Sequence, residues 1–160
     1  MPVIRSQTLP DEAATAALAA TLAPLLRPGD ALLLDGPLGA GKTSFARALI
    51  RSLCGAGTEV PSPSFNIVLT YDAPQATLWH FDLYRIADPR ELDELGLDEA
   101  LQDGIVLIEW PDRLGSQPPA GALTLRLTPL ETPPAARRAD LIGDTAWAQR
   151  LSPLPVSAHV

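Results

Sequence analysis

Eight consecutive residues, Gly36-Pro37-Leu38-Gly39-Ala40-Gly41-Lys42-Thr43, satisfy the pattern G-x-x-x-x-G-K-[ST]. No other feature of the chain restricts its fold so strongly. An apolar run with the composition of a buried strand, Ala31 to Asp35, leads into it, and a helical segment from Thr43 to about Cys54, stopped by Gly55, leads out. Strand, glycine-rich turn and helix in that order make a cradle for an anion. The glycines let the backbone wrap with its N–H groups pointing inward, and the helix start adds the positive end of its dipole. Lys42 is then expected to reach the β- and γ-phosphates of a nucleotide, its charge largely unpaired until one binds, and the Thr43 hydroxyl to bind Mg²⁺. Eleven of the 12 basic residues are arginine, and the one lysine is Lys42. A single retained ammonium marks a place where the larger planar guanidinium is not equivalent.

The rest of the chain supplies a setting for that loop. It has 160 residues, 46% hydrophobic and 19% charged, with a net charge of −7. That balance suits one globular domain with a real core, placed over residues 1–145, and not a disordered acidic chain. A tail, 146–160, is expected to be mobile at its end. No apolar run reaches the roughly 18 residues of a membrane span, and Met1 to Arg5 lack the regions of a signal peptide, so the expected location is cytoplasmic. The lone Cys54 excludes an intrachain disulfide and a cysteine zinc site, and is expected to be a small buried hydrophobe. Thr8 with Asp11 has the spacing of a helix start, and Leu18, Leu22 and Leu25 follow on one face. Strands are expected at Phe65 to Tyr71, Thr77 to Leu83, Ile105 to Ile108 and Gly121 to Thr128, with another helix starting at Asp88-Pro89-Arg90-Glu91. Eight of the 17 prolines lie at or after Pro111, which predicts a loop-rich C-terminal third. Buried strands alternating with helices argue for a three-layer α/β domain.

A phosphate-binding loop of this kind also needs an acid at the end of a neighbouring buried strand, to hold Mg²⁺ or its water. Glu109 ends Ile105 to Ile108, and Asp82 ends Leu78 to Phe81; the alternative for each is an exposed strand-end carboxylate. Lys42, Asp82 and Glu109 are the expected catalytic set. Guanine readers need N-K-x-D, which a chain whose only lysine is Lys42 lacks, so ATP is favoured. Asp93-Glu94-Leu95-Gly96 matches the D-x-x-G of GTPases, but it falls in an acidic helical stretch and is read as solvated helix. From Asp82 to Asp112 there are ten acids and two arginines. This is the opposite of the basic stripe that grips a nucleic-acid backbone.

Together with the glycine loop, Ser62-Pro63-Ser64-Phe65, His80-Phe81-Asp82-Leu83-Tyr84-Arg85 and Ile108-Glu109-Trp110-Pro111 resemble the TsaE (YjeE) family, from about Leu9 to about Ile142. These are small bacterial P-loop ATPases required for threonylcarbamoyladenosine in tRNA. The resemblance implies a three-layer P-loop NTPase fold whose central sheet is partly parallel with antiparallel additions. It also implies ATP with Mg²⁺ as cofactors, and a complex with TsaD, which transfers the carbamoyl group, and its inactive homologue TsaB. ATP hydrolysis would drive or reset that pair. By the same resemblance Gly39, Ala40, Gly41, Lys42, Thr43 and Ser44 cradle the phosphates behind Gly36, and Thr43 and Glu109 bind Mg²⁺. Asp82 lies beside the γ-phosphate, Ser62 to Phe65 form a switch-like loop, and Arg137 approaches the nucleotide. Three positions depart from the family pattern: Pro37 stands for an acid, Ser64 for Thr, and Ala136 for the Gly before Arg137.

Several residues keep two readings. Trp79 and Trp110 are core or rim packing, or contacts to nucleotide or partner. His80 is structural or a hydrogen-bond partner, with His159 far off in the tail. Arg85 is a salt bridge to the acidic helix or an arginine finger in cis. The acids of Asp88 to Glu99 are a solvated face or a partner surface. The alternative function is a stand-alone small-molecule kinase, which would need paired arginines in a lid; Arg137-Arg138 is late and proline-flanked. A nucleotide-dependent RNA-binding protein is disfavoured by the acidic stretch, and tight binding of tRNA by the chain alone is not expected.

Overall fold

The computed structural model describes residues 2–61, 67–115, 118–132 and 136–154. Seven strands form one sheet: β1 (Val3–Leu9), β2 (Ala31–Asp35), β3 (Val68–Asp72), β4 (Thr77–Asp82), β5 (Ile105–Glu109), β6 (Leu123–Pro129) and β7 (Arg137–Ile142). Their order across the sheet is β1-β7-β6-β2-β5-β4-β3. The four central strands, β6, β2, β5 and β4, pair in parallel, while β3, β7 and β1 add antiparallel edges. Among the described residues there are five α-helices, α1 (Glu12–Leu22), α2 (Lys42–Cys54), α3 (Glu91–Glu94), α4 (Leu97–Asp103) and α5 (Thr145–Leu151), and two short 3-10 turns, Ala23–Leu25 and Pro111–Leu114.

Strand β2 is apolar at every position from Ala31 to Leu34 because both its faces are covered. Leu32 and Leu34 pack with Leu18 and Leu22 of α1 and with Phe45, Leu49 and Ile50 of α2. Ala31 and Leu33 point the other way, toward Phe81, Leu92 of α3 and Leu97 of α4. The expected three layers are therefore present, and their residues alternate as the strand period of two requires.

Several elements differ from expectation, most of all near the two ends of the chain. Thr8 is not a helix cap; it sits in β1, paired with Arg138, and Asp11 caps α1 by accepting from the Ala14 N–H at 2.9 Å. In the proline-rich C-terminal third, β6 is the strand expected from Gly121, while β7 and α5 are elements that were not expected. Asp144 caps α5 by accepting from the Trp147 N–H at 3.0 Å, and the helix buries Trp147 and Leu151 in the core. The helix expected from Asp88 starts at Glu91 and is broken at Gly96, whose φ of +83° suits glycine. The strand expected from Phe65 runs from Val68 to Asp72; its first expected residues, like Ser62 to Phe65 as a whole and the end of the tail with His159, lie outside the described residues.

Candidate active site

The parallel register of the central strands decides which side chains meet. Glu109 at the end of β5 is level with Leu34 of β2 on one side and with Asp82 of β4 on the other. The loop that leaves β2 and the two carboxylates therefore share one edge of the sheet. Between them is a cavity of about 380 Å³, lined by residues 38–44, Asp82, Glu109, Arg137 and, from α1, Glu12 and Thr15.

Three glycines turn the loop, with φ of +153° at Gly36, +78° at Gly39 and +100° at Gly41. Gly36 has a second reason to be glycine: a Cβ there would stand 2.5 Å from the Leu127 carbonyl oxygen of β6. That neighbour is backbone and cannot rotate away. Gly36→Ala is expected to destabilise the protein by about 1–3 kcal/mol through overpacking and backbone strain, measured by urea unfolding; an unchanged midpoint would contradict the close approach. Pro37 keeps its carbonyl in use, accepting from the Ala40 N–H at 3.1 Å.

Lys42 is not the unpaired charge expected from sequence. It is 5% exposed, donates from Nζ to the Gly36 carbonyl, and places Nζ 3.3 Å from the centroid of the Trp110 ring. Burial lowers its pKa, opposed by the charges of Glu109, Asp35, Asp82 and Asp112. Trp110 reaches this position through a left-handed backbone, φ 61°, directly before Pro111, and Tyr84 packs against its ring with centroids 4.9 Å apart. Trp110 thus belongs to the site, whereas Trp79 stacks on Phe81 and closes over Gly104 as packing.

The two carboxylates have different surroundings. Glu109 is 2% exposed; its Oε1 accepts from the Thr43 hydroxyl at 3.1 Å, and its Oε2 lies 2.7 Å from His80 Nε2. A carboxylate only accepts, so His80 Nε2 carries the proton. The other ring nitrogen, Nδ1, is buried without a hydrogen-bond partner among the described residues, which suits a bare lone pair better than an orphaned N–H. His80 is therefore a hydrogen-bond partner of the site, a role that no local sequence signal specifies. Asp82 is half-buried, and burial raises its pKa, offset by the hydrogen bond its Oδ1 accepts from the Tyr84 N–H at 3.1 Å. Among the described residues no three His, Cys, Asp or Glu side chains gather into a metal cage.

The remaining expected residues fall around this centre. Ser44 is in the first turn of α2, with its hydroxyl 3.4 Å from Glu12 Oε1. Arg137 donates to the carbonyls of Ala40 at 2.8 Å and Gly39 at 3.1 Å. Arg138 is paired with Asp140 at 3.1 Å. Arg85 also lines the cavity. Cys54 is half-buried against the core, which pushes its thiol pKa up.

A parallel-centred α/β sheet with a glycine loop between its strand and helix, and a strand-end carboxylate beside it, defines a P-loop NTPase fold. The family described as "Threonylcarbamoyl adenosine biosynthesis protein TsaE" matches residues 9–138. The chain belongs to the TsaE family. It is 49% identical over 105 residues to a protein of Rickettsia conorii named "tRNA threonylcarbamoyladenosine biosynthesis protein TsaE", covering 66% of this chain and 60% of that one. It is 39% identical over 112 residues to the protein of the same name from Bacillus subtilis, covering 69% of each. The aligned stretch thus spans about three-fifths of the Rickettsia conorii relative, as it does of the Rickettsia felis one, at 61%. The crystal structure of Bacillus subtilis YdiB superimposes with a TM-score of 0.76 at 27% identity, over 93% of this chain and 92% of that one.

Proposed function

We propose that this protein binds ATP with Mg²⁺ and hydrolyses it in the service of tRNA threonylcarbamoyladenosine formation, acting on a TsaB–TsaD pair and making no modification itself. The observation that carries the reading is the Thr43–Glu109 hydrogen bond at 3.1 Å, formed at the foot of the glycine cradle with Lys42 alongside. A hydroxyl and a buried carboxylate already drawn together are hard oxygen donors of the kind Mg²⁺ takes, with phosphates and water completing its shell. The lack of an all-protein cage among the described residues agrees with that division. Membership of the TsaE family supports the tRNA pathway.

When bound between Thr43 and Glu109, Mg²⁺ would supply positive charge to offset that of the phosphates. The protein's own groups do the rest. Backbone N–H groups of the loop and the α2 N-terminus hold the phosphates. Lys42 exchanges its contact with the Gly36 carbonyl for phosphate oxygens. Thr43 and Glu109 would hold the metal, and the His80 hydrogen bond to Oε2 orients Glu109. Asp82, its pKa raised by burial, orients and accepts a proton from the attacking water. The kinase alternative gains no support from the two adjacent arginines, since Arg137 is engaged with the loop backbone and Arg138 with Asp140.

The acids of α3 and α4 suit a basic protein partner. Glu91, Asp93, Glu94, Asp98, Glu99 and Asp103 are all exposed, on the opposite face of the sheet from α1 and α2. Such a face repels phosphates within a Debye length, about 8 Å at physiological salt, and speeds association with a complementary surface. Steady-state ATPase assays with and without TsaB and TsaD test the reading as a whole. Stimulation by the pair is expected; phosphate transfer to a small acceptor with no effect of the pair would replace it by the kinase. Reversing Glu91, Glu94 and Asp98 to lysine should slow association with the pair by roughly tenfold at low salt and leave ATP affinity unchanged. Tight binding of tRNA by the isolated chain would contradict this assignment of the acidic face.

A further inference from the structure

The glycines that shape the phosphate cradle also leave it easy to misshape. Gly39 and Gly41, at φ +78° and +100°, flank Ala40. Peptide planes bordered by glycine rotate at small steric cost, because glycine accepts the dihedral angles on either side of the flip. Arg137 meets these two planes from outside. It is the first residue of β7, and its backbone is held on both sides, paired with Leu9 of β1 and Pro129 of β6. From that fixed base its Nε donates to the Ala40 carbonyl at 2.8 Å and its Nη2 to the Gly39 carbonyl at 3.1 Å. In a trans peptide the C=O and the following N–H point in opposite directions. Holding the Ala40 carbonyl therefore turns the Gly41 N–H away from the guanidinium. Holding the Gly39 carbonyl fixes the plane whose N–H, that of Ala40, closes the turn onto the Pro37 carbonyl at 3.1 Å.

We infer that Arg137 is a positioning residue that locks the peptide planes of the phosphate loop through the Gly39 and Ala40 carbonyls, presetting it for an anion. This deepens the ATP reading and rests on it for the identity of that anion. The role needs a planar fork with two donors on neighbouring acceptors, which an ammonium on a flexible stem does not reproduce. It also ties β7 to the site, so that a strand on the far side of β2 from Asp82 contributes to the cradle.

Arg137→Ala and Arg137→Lys in the full chain test this in two measurements. Titration calorimetry with Mg·ADP and Mg·ATP should give both variants weaker binding of both nucleotides by a similar factor, about tenfold, as for other residues that orient ligands. Hydrogen exchange of the nucleotide-free protein should speed up at residues 38–42 while β1 and β6 keep their protection. A loss confined to ATP and relieved by lysine, with exchange unchanged, would make Arg137 a γ-phosphate contact and overturn the inference. Loss of protection through β1 and β6 in both variants would make it a sheet-stabilising residue and overturn it equally. Failure of the unaltered chain to bind either nucleotide would end the ATP reading instead, and the exchange experiment would still judge the lock.

Discussion

Lys42→Ala is expected to lower ATP hydrolysis by about 10²-fold or more, the usual loss when a positioned charge is removed from a developing phosphate charge. The position leaves no substitute, because every other basic residue is an arginine and the cradle admits Lys42 at 5% exposure. In the structure the ammonium is held by the Gly36 carbonyl and the Trp110 ring, so binding exchanges one set of partners for another. Part of the phosphate contact energy is thereby offset, and burial has already lowered the pKa. The variant should still fold. It loses one hydrogen bond and one ring contact, together about 1–2 kcal/mol, and Lys42→Met, which keeps apolar bulk beneath Trp110, should recover part of that. Circular dichroism and a phosphate-release assay on both variants give the check. A folded variant with normal turnover would remove the loop from the chemistry.

What could be read in the sequence follows from how local each signal is. The loop, β2 and α2 are contiguous, so glycine spacing and one apolar run suffice to find them. Strand β5 with Glu109 at its end stands out because a strand covered on both faces is apolar throughout. The missed elements have the opposite character. Strand β7 begins with two arginines and carries Asp140, which is 7% exposed only because Ser6 and Arg138 hydrogen-bond to it across and along the edge of the sheet. Strand β1 is half-buried at an edge and weakly patterned. Pro153 and Pro155 directly after it hid α5, whose burial depends on two residues, Trp147 and Leu151. That Lys42, Asp82 and Glu109 meet at one end of the sheet was legible because each ends or begins an element. His80 on Glu109 and Trp110 over Lys42 were not, since both contacts depend on strand register and one on a left-handed residue before a proline.

Glu109→Gln and Asp82→Asn should then fail in different ways. Glu109 uses both oxygens, one toward Thr43 and one toward His80. A glutamine keeps a single carbonyl oxygen. If that oxygen faces Thr43, its NH₂ confronts the His80 N–H, donor against donor, and the buried ring must move its proton to Nδ1, where no partner waits among the described residues. If the amide turns over, the NH₂ occupies the metal side. Either arrangement removes an anionic oxygen from the metal position, and the Mg²⁺ concentration for half-maximal activity should rise by about 10–100-fold. The Asp82 carboxylate accepts from the Tyr84 N–H, while its backbone N–H donates to the Ile67 carbonyl at 2.7 Å, so asparagine fits its place with little disturbance. What it loses is a carboxylate able to take a proton. Turnover should fall by about 10²-fold, while nucleotide affinity and the Mg²⁺ midpoint stay close to those of the unaltered protein. Steady-state rates across a magnesium titration, with nucleotide affinity measured alongside, separate the two. Matching titrations for Glu109→Gln and the unaltered protein would take Glu109 out of the metal site. A shifted midpoint for Asp82→Asn would move that carboxylate from the water to the metal.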